Sequence, residues 1–276
     1  MNVELQDHRI IVDMEYFTQQ LLSLFTNIKQ YPTPAVKECF KLRESPKLDV
    51  TGQKTFHTIV AKLLYLAKQA RPDILTATSF LCTRVKEPTK NDQQKLLRVI
   101  GYLEATKHYR YTISPSKPLG FLAYVHAAFA THEDSKSHSE VAIFIAGVLV
   151  YTASKKQACV TKSPIESELV ILTDYIGLDE LFEEFISFIL NDKLPTTIFL
   201  QDSTSVVTLV TQGSGVTRTR HLRNRMHLAK EAVDEDRLII KHCKANLMIA
   251  DGFTKPLKGS EFQQLCSSLD IYHSSQ

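Results

Sequence analysis

The chain has no Cys-x-x-Cys pair, no Walker-type phosphate loop, no Ser-His-Asp arrangement, no signal peptide and no apolar run near the ~18 residues that a membrane helix needs. Each absence removes a class of protein. Cys39, Cys82, Cys159, Cys243 and Cys266 are too scattered for a zinc site or a disulfide framework, and read as reduced, buried thiols. Nucleotide hydrolysis on a P-loop and acyl transfer by a serine nucleophile both lose their machinery. The expectation is a soluble, intracellular protein, in a cytoplasmic particle or the nucleus, with no membrane partner. A strong charge imbalance is missing too: 33 basic against 30 acidic side chains give +3, with a pI near 8.5. That balance is compatible with nucleic acid without pointing to it. The absence of tryptophan excludes nothing.

What is present is a globular composition, 43% hydrophobic and 23% charged, over 276 residues, enough for two modest domains. The organising stretch is 119–170. Residues 119–129 read as a buried strand. Residues 141–146 and 148–154 read as two more strands joined by a tight turn at Gly147. Ser163-Pro164-Ile165-Glu166 then opens a helix, with Ser163 as cap, Pro164 in the first turn and Glu166 where a capping box wants an acid. Glu168 follows on the same helix, a strand at 198–202 ends in Asp202, and a later segment ends in Ala250-Asp251. Carboxylates on strand ends and a helix start can converge on one face of a sheet, which is how oxygen ligands for Mg²⁺ are assembled.

The N-terminal part is mainly helical. A short strand at Arg9–Val12 precedes an amphipathic helix carrying Met14, Phe17, Leu21, Leu24 and Phe25, and Pro32-Thr33-Pro34 stops it. Residues 35–52 read as loop. Helices follow at about 55–70, from Arg71-Pro72-Asp73 to about 85, and from the capping-box spacing at Thr89–Asp92 to about 106, then a strand at Tyr109–Ile113. Ser114-Pro115-Ser116-Lys117-Pro118 is the natural boundary.

Two blocks of residues resemble copia-type retrotransposon Pol polyproteins. Ile59-Val60-Ala61-Lys62-Leu63-Leu64-Tyr65-Leu66, Arg71-Pro72-Asp73-Ile74, Pro88-Thr89-Lys90 and Leu97 to Lys107 resemble the end of the reverse transcriptase, its thumb and connection region. Ser154-Lys155-Lys156-Gln157, Ser163 to Glu168, Gln201-Asp202-Ser203, Thr219-Arg220-His221 and Ala250 to Leu257 resemble the ribonuclease H domain. The resemblance covers about residues 9–258. It implies an α/β (α+β) chain divided into a helical region at 1–113 without a polymerase palm, a linker at 114–118, a ribonuclease H-like domain at 119–258 and a C-terminal helix and tail at 259–276. The implied fold of the third part is a five-stranded mixed sheet flanked by helices. The family's Tyr-x-Asp-Asp polymerase strand is absent, so polymerisation is not expected. Implied partners are an RNA–DNA hybrid or other nucleic acid and the remainder of the Pol polyprotein.

The resemblance assigns catalytic and metal-ligand roles to Glu168, Asp202 and Asp251, with Mg²⁺ as cofactor, two ions in the intact family. The first-strand aspartate, the central ligand, falls on His126. A neutral imidazole offers one nitrogen and cannot bridge two hard cations, and an imidazolium repels them; imidazole suits Zn²⁺, Mn²⁺ or Ni²⁺ better. The expected outcome is an impaired nuclease. The alternatives are a non-catalytic nucleic-acid-binding remnant and, more remotely, a transposase or integrase core. His132 and His138 read as loop histidines. Arg218, Arg220, Arg223 and Arg225 lie on a segment whose Leu222, Met226, Ala229 and Val233 form an apolar helical stripe, and together with Lys155 and Lys156 they are the candidate nucleic-acid contacts. Arg71, Lys90, Lys95 and Arg98 are candidates for phosphate contact in the first region, the alternative being a solvated helix face.

Overall fold

A computed structural model describes residues 1–36, 39–213, 220–244, 247–250, 257 and 259–273. The chain divides into two compact units, residues 1–114 with 255–276, and residues 115–254.

The first unit is built on a four-stranded antiparallel sheet of order β1-β2-β3-β9, with β1 at Asn2–Gln6, β2 at Arg9–Asp13, β3 at Tyr109–Ile113 and β9 at Ile271–His273. β1 lies outside the elements predicted from sequence; its five residues are all exposed, so no buried stripe betrays it. The helices are α1 (Glu15–Leu22), α2 (Val50–Gln69), α3 (Leu75–Cys82) and α4 (Lys90–Ala105). α2 begins at Val50, earlier than the loop expected through residue 52, because the Asp49 carboxylate accepts from the Gly52 amide and caps it there. α4 has the predicted capping box between Thr89 and Asp92. Leu63, Leu66, Ile74, Leu75, Leu81, Ile100 and Leu103 are fully enclosed, each burial stabilising by about 1.5–3 kcal/mol.

Arg71, a candidate for phosphate contact or else for a solvated helix face, is neither: it is buried. Its guanidinium is bidentate to Asp73, with Nη2 at 2.7 Å from Oδ2, and donates to the Thr106 carbonyl at 3.0 Å. The Tyr102 hydroxyl donates to the same carboxylate at 2.6 Å. A buried arginine survives only with such partners.

The second unit is a five-stranded mixed sheet of order β6-β5-β4-β7-β8. β4 (Phe121–Ala128), β5 (His138–Ile145) and β6 (Val148–Lys156) form an antiparallel meander, while β7 (Thr197–Gln201) runs parallel to β4, and β8 (Leu238–His242) parallel to β7. The β5–β6 turn has Ala146 at φ 51 and Gly147 at φ 85, the positive pair that a two-residue hairpin loop requires. The helices are α5 (Pro164–Leu190), α6 (Thr204–Gln212) and α7 (Arg220–Asp234); α8 (Gly259–Ser268) belongs to the first unit.

β4 alternates buried and half-buried residues rather than being buried throughout as predicted. Ala123, Val125 and Ala127 join Leu169, Leu172, Tyr175 and Ile176 of α5 in one core, with Phe199 of β7. The intervening residues, His126 among them, point to the other face by the two-residue period of a strand. Continuous burial belongs to β5, the interior strand of the meander, buried from His138 to Phe144.

Candidate functional site

Three elements deliver the site. His126 stands near the C-terminal end of β4, Glu168 on the N-terminal part of α5, and Asp202 just after β7. The start of α5 is set by the residues that predict it: Ser163 accepts from the Glu166 amide at 3.3 Å, and Glu166 reaches back to the Lys162 amide at 2.6 Å. Glu166 is therefore spent on the cap and Glu168 is left to face inward, 4% exposed. Because β4 and β7 are parallel neighbours, their C-terminal ends lie side by side, and Asp202 comes beside His126.

The three side chains converge. His126 Nδ1 lies 3.1 Å from Glu168 Oε1 and 3.3 Å from Asp202 Oδ2. Each group offers one ligand atom within 4.8 Å of the others. Burial works against charge on the imidazole, but hydrogen bonds to Asp202 and Glu168, and their charges, outweigh it and hold the His126 pKa up at about 10. Burial pushes Glu168 upward, while the His126 cation and the Ala127 amide pull it back. The two neighbouring carboxyl groups thus favour the imidazolium form of His126.

Gln201, which sequence reasoning left without a role, holds the carboxylates in register. Its Nε2 donates to Glu168 Oε2 at 3.1 Å, and its Oε1 accepts from the Asp202 and Ser203 amides at 2.9 and 3.3 Å. It is fully buried. Its only sequence signal is its place in Gln201-Asp202-Ser203. Gln157 is similar: from the end of β6 it donates to Ser139 Oγ at 2.8 Å and to the Ser167 carbonyl at 2.9 Å, tying the start of α5 to the meander.

A second polar group lies beside the first. Glu140 is the register partner of His126 on β5, and Ser154 that of Glu140 on β6. Ser154 donates to Glu140 Oε1 at 3.1 Å, His138 Nε2 lies 2.8 Å from Ser154 Oγ, and His132 Nε2 lies 3.0 Å from His138 Nδ1. His138 is thus not a loop histidine: it opens β5 and is buried, because Ser154 and His132 satisfy its ring nitrogens there. Burial, then the neighbouring His132, lower its pKa to about 3, so it is neutral. His132, half-buried, does lie outside the strands.

Asp251 lies outside the described residues; Ala250, just before it, is buried with Met248 and Cys243 against Tyr124 and Leu200. Arg218 also lies outside them. Arg220 opens α7, and Arg223 is exposed on it, opposite the buried Leu222, Met226 and Ala229. Arg225 turns back: its Nη1 donates to Thr173 Oγ1 and Asp174 Oδ1, both at 2.6 Å. Lys155, half-exposed, lies 3.8 Å from Asp174 and 4.9 Å over the Tyr175 ring. Lys156 pairs with Asp134 at 2.8 Å. Arg225 and Lys155 thus share one carboxylate on the α5 surface.

No protein-family model matches the chain. It is 24% identical over 271 residues to the retrovirus-related Pol polyprotein from transposon RE1 of Arabidopsis thaliana, covering 98% of this chain and 18% of that protein. It is 25% identical over 287 residues to the retrovirus-related Pol polyprotein from transposon TNT 1-94 of Nicotiana tabacum, covering 99% of this chain and 21% of that one. The homologues of this chain are copia-type retrovirus-related Pol polyproteins, and they cover nearly its whole length. The chain spans about a fifth of the length of these Pol relatives. Among solved structures, LC11-RNase H1, isolated from compost by a metagenomic approach, overlaps 49% of this chain and 91% of its own, with 15% identity and a TM-score of 0.37. The α/β fold of the second unit, a five-stranded mixed sheet with flanking helices, is the one expected from the sequence. Among the described residues, no helix is long and apolar enough to cross a membrane.

Proposed function

We propose that the second unit is a hydrolytically impaired ribonuclease H-like domain of a retrotransposon Pol polyprotein, one that engages RNA–DNA hybrids or related nucleic acid through its basic surface. The observation that carries the reading is the His126 ring set between Glu168 and Asp202 at 3.1 and 3.3 Å, where their charges favour its cationic form. A charge count states the chemistry. With an aspartate at position 126 the trio would carry −3; with imidazolium it carries −1. Two divalent cations need the larger deficit, and a protonated imidazole presents no lone pair to a metal. The trio therefore does not fit a pair of Mg²⁺ ions, and no hydrolytic step is derived through them. The protein's own cation stands where a metal would neutralise these oxygens. Exposed Arg223, with Lys155, supplies a surface for phosphates, in keeping with recognition of A-form hybrids through backbone and shape.

The test is cleavage of a labelled RNA–DNA hybrid in Mg²⁺ by the unmodified chain and by His126→Asp, with His126→Asp/Asp202→Asn as control. Expected is little or no cleavage by the unmodified chain and a rise of several orders of magnitude in the single variant, since one ligand of the reacting metal carries a few kcal/mol of barrier lowering. Strong Mg²⁺-dependent cleavage by the unmodified chain, lost on Asp202→Asn, would overturn the impairment and favour an intact nuclease.

A further inference from the structure

α5 changes character along its length. Through Ile176 it is a core helix, with Leu169, Leu172, Tyr175 and Ile176 packed in the second unit, and its last buried residue is Asp179. The remainder is still held in place. Phe182 packs on the core, its ring 6.1 Å from that of Tyr151, and the helix closes on a formed cap, where left-handed Asn191 donates its amide to the Ser187 carbonyl. The outer face of this anchored end carries Leu181, Phe185, Phe188 and Ile189, at i, i+4, i+7 and i+8. Each is more than half exposed, Phe188 at 83%. Gly177, four positions before Leu181, continues the stripe, and beyond its own stretch of helix nothing lies within 4 Å of where a Cβ on it would stand. Single exposed apolar residues are ordinary on a surface. A continuous patch of roughly a few hundred Å², with two phenylalanines in it, marks a face that another molecule covers.

The charges around the patch point to the kind of molecule. Between Pro164 and Leu190 every charged residue of α5 is acidic; the helix has no lysine, arginine or histidine. Asp174 is met by Arg225 and Lys155, and Glu180 by Arg237. Glu184 is not met in this way. It stands three positions after Leu181 and four before Phe188, so it borders both on the helix surface, and it is exposed and in no ion pair among the described residues. Glu183 beside it has its pKa raised by burial, with Lys193 pulling it back and Glu180 adding to the rise. The last turn of α5 holds no cation, so the negative end of the helix dipole is uncompensated from within the helix as well. A second copy of the chain would bring a second set of the same acids to the patch, and an anionic lipid surface or a nucleic acid would be repelled by them.

We propose that the outer face of α5 from Gly177 to Ile189 docks a basic amphipathic helix of another polypeptide. The apolar stripe of that helix lies along Leu181, Phe185 and Phe188, Gly177 lets the two backbones approach, and lysines or arginines on its flank answer Glu184, Glu183 and the helix end. The site does not depend on the reading of His126.

The experiment is fluorescence anisotropy of labelled synthetic peptides titrated with the full chain. One peptide repeats about three heptads with leucine at a and d and lysine at e and g; its counterpart carries glutamate in place of lysine. Both are measured on the unmodified chain, on Phe185→Ser/Phe188→Ser and on Glu184→Lys, with circular dichroism to verify the fold. All three positions are exposed, so the substitutions leave the core untouched. The lysine peptide is expected to bind saturably, at least about tenfold more tightly than the glutamate peptide at low salt, with the margin narrowing as salt rises. Phe185→Ser/Phe188→Ser should weaken it more than about tenfold, since buried aromatic anchors dominate such contacts. Glu184→Lys should weaken the lysine peptide and strengthen the glutamate peptide, each several-fold. The proposal fails if the lysine peptide does not bind the folded chain, if the double serine variant binds it undiminished, or if Glu184→Lys leaves the preference unchanged. Sedimentation equilibrium of the chain alone and flotation with phosphatidylcholine vesicles complete the test. A dimer, or vesicle binding, that disappears in Phe185→Ser/Phe188→Ser would assign the face to a second copy or to a lipid surface and overturn the proposal; a monomer that ignores vesicles upholds it.

Discussion

Each unit encloses a cation among carboxylates, and the two arrangements differ in a way that separates structure from site. In the first unit Arg71 meets one carboxylate, Asp73, whose remaining capacity is taken by the Tyr102 hydroxyl. The charges cancel one to one, and both side chains are nearly inaccessible, at 3% and 0%. In the second unit one imidazolium serves two carboxylates, one negative charge is left over, and Asp202 keeps 23% of its side-chain surface open. A pair that is neutral, sealed and fully hydrogen-bonded supports the fold. A trio that is charged, partly open and assembled from three separate elements has the composition expected of the site proposed above. Burial of charge alone does not tell the two apart; stoichiometry and access do.

The largest contrast is expected on replacing the cations. His126→Asp should gather three carboxylates and make the second unit metal-dependent: its thermal midpoint should rise with millimolar Mg²⁺, following the logarithm of ligand concentration, while the unmodified chain shows no such dependence. An equal response of both proteins in a thermal scan would erase the difference between trio and pair. Arg71→Met should cost about 3–5 kcal/mol of stability by urea denaturation, because it strands Asp73 in the interior. A loss under about 1 kcal/mol would mean that the pair is not structural.

A subtler contrast lies within α5. Asp179, one helical stretch beyond Glu168, is buried with Glu183 and Glu180 nearby, and its pKa is pushed up to about 7 from 3.8. A raised carboxyl pKa stabilises the fold below the ordinary range and loses that contribution as pH climbs through 7. Stability should therefore fall between about pH 4 and pH 7 in the unmodified chain, and Asp179→Asn should flatten that limb by a few kcal/mol. An unchanged pH–stability curve in the variant would place the ionised carboxylate comfortably in the native state. The smallest expected effect concerns the surface. Arg223→Ala should lower the salt slope of hybrid binding by about one, with little change in stability. Arg225→Ala should act mainly on stability, because that guanidinium is tied to Thr173 and Asp174.

Much of the second unit was legible from its residues. The hairpin at Gly147, the cap at Ser163 with Glu166, and the apolar stripe of α7 are local features, and local chemistry specifies them. Other features escaped for an equally physical reason. Gln201 and Gln157 are ordinary polar residues until the register of β7 with β4 and the packing of α5 bring partners within 3 Å. His138 looked like a loop residue because a histidine is tolerated inside a strand only if its neighbours supply hydrogen bonds, and Ser154 is sixteen positions away. Arg71 looked like a solvated residue or a phosphate contact because nothing in the run around it announces Thr106 and Tyr102 as its partners.

The sequence by itself determined where helices and turns begin, and that the chain resembles copia-type Pol polyproteins, a resemblance that implies an aspartate where this chain has His126. Those are matters of short-range sterics, capping and residue identity. Only the tertiary structure decided what the histidine does. An imidazole on a free strand end would titrate near pH 6.5. Parallel pairing of β4 with β7, and the docking of α5, place two carboxylates within 3.3 Å of Nδ1 in a partly dry pocket, and that field holds the ring as a cation. The charge on His126 belongs to the fold, since it comes from groups 42 and 76 residues further along the chain.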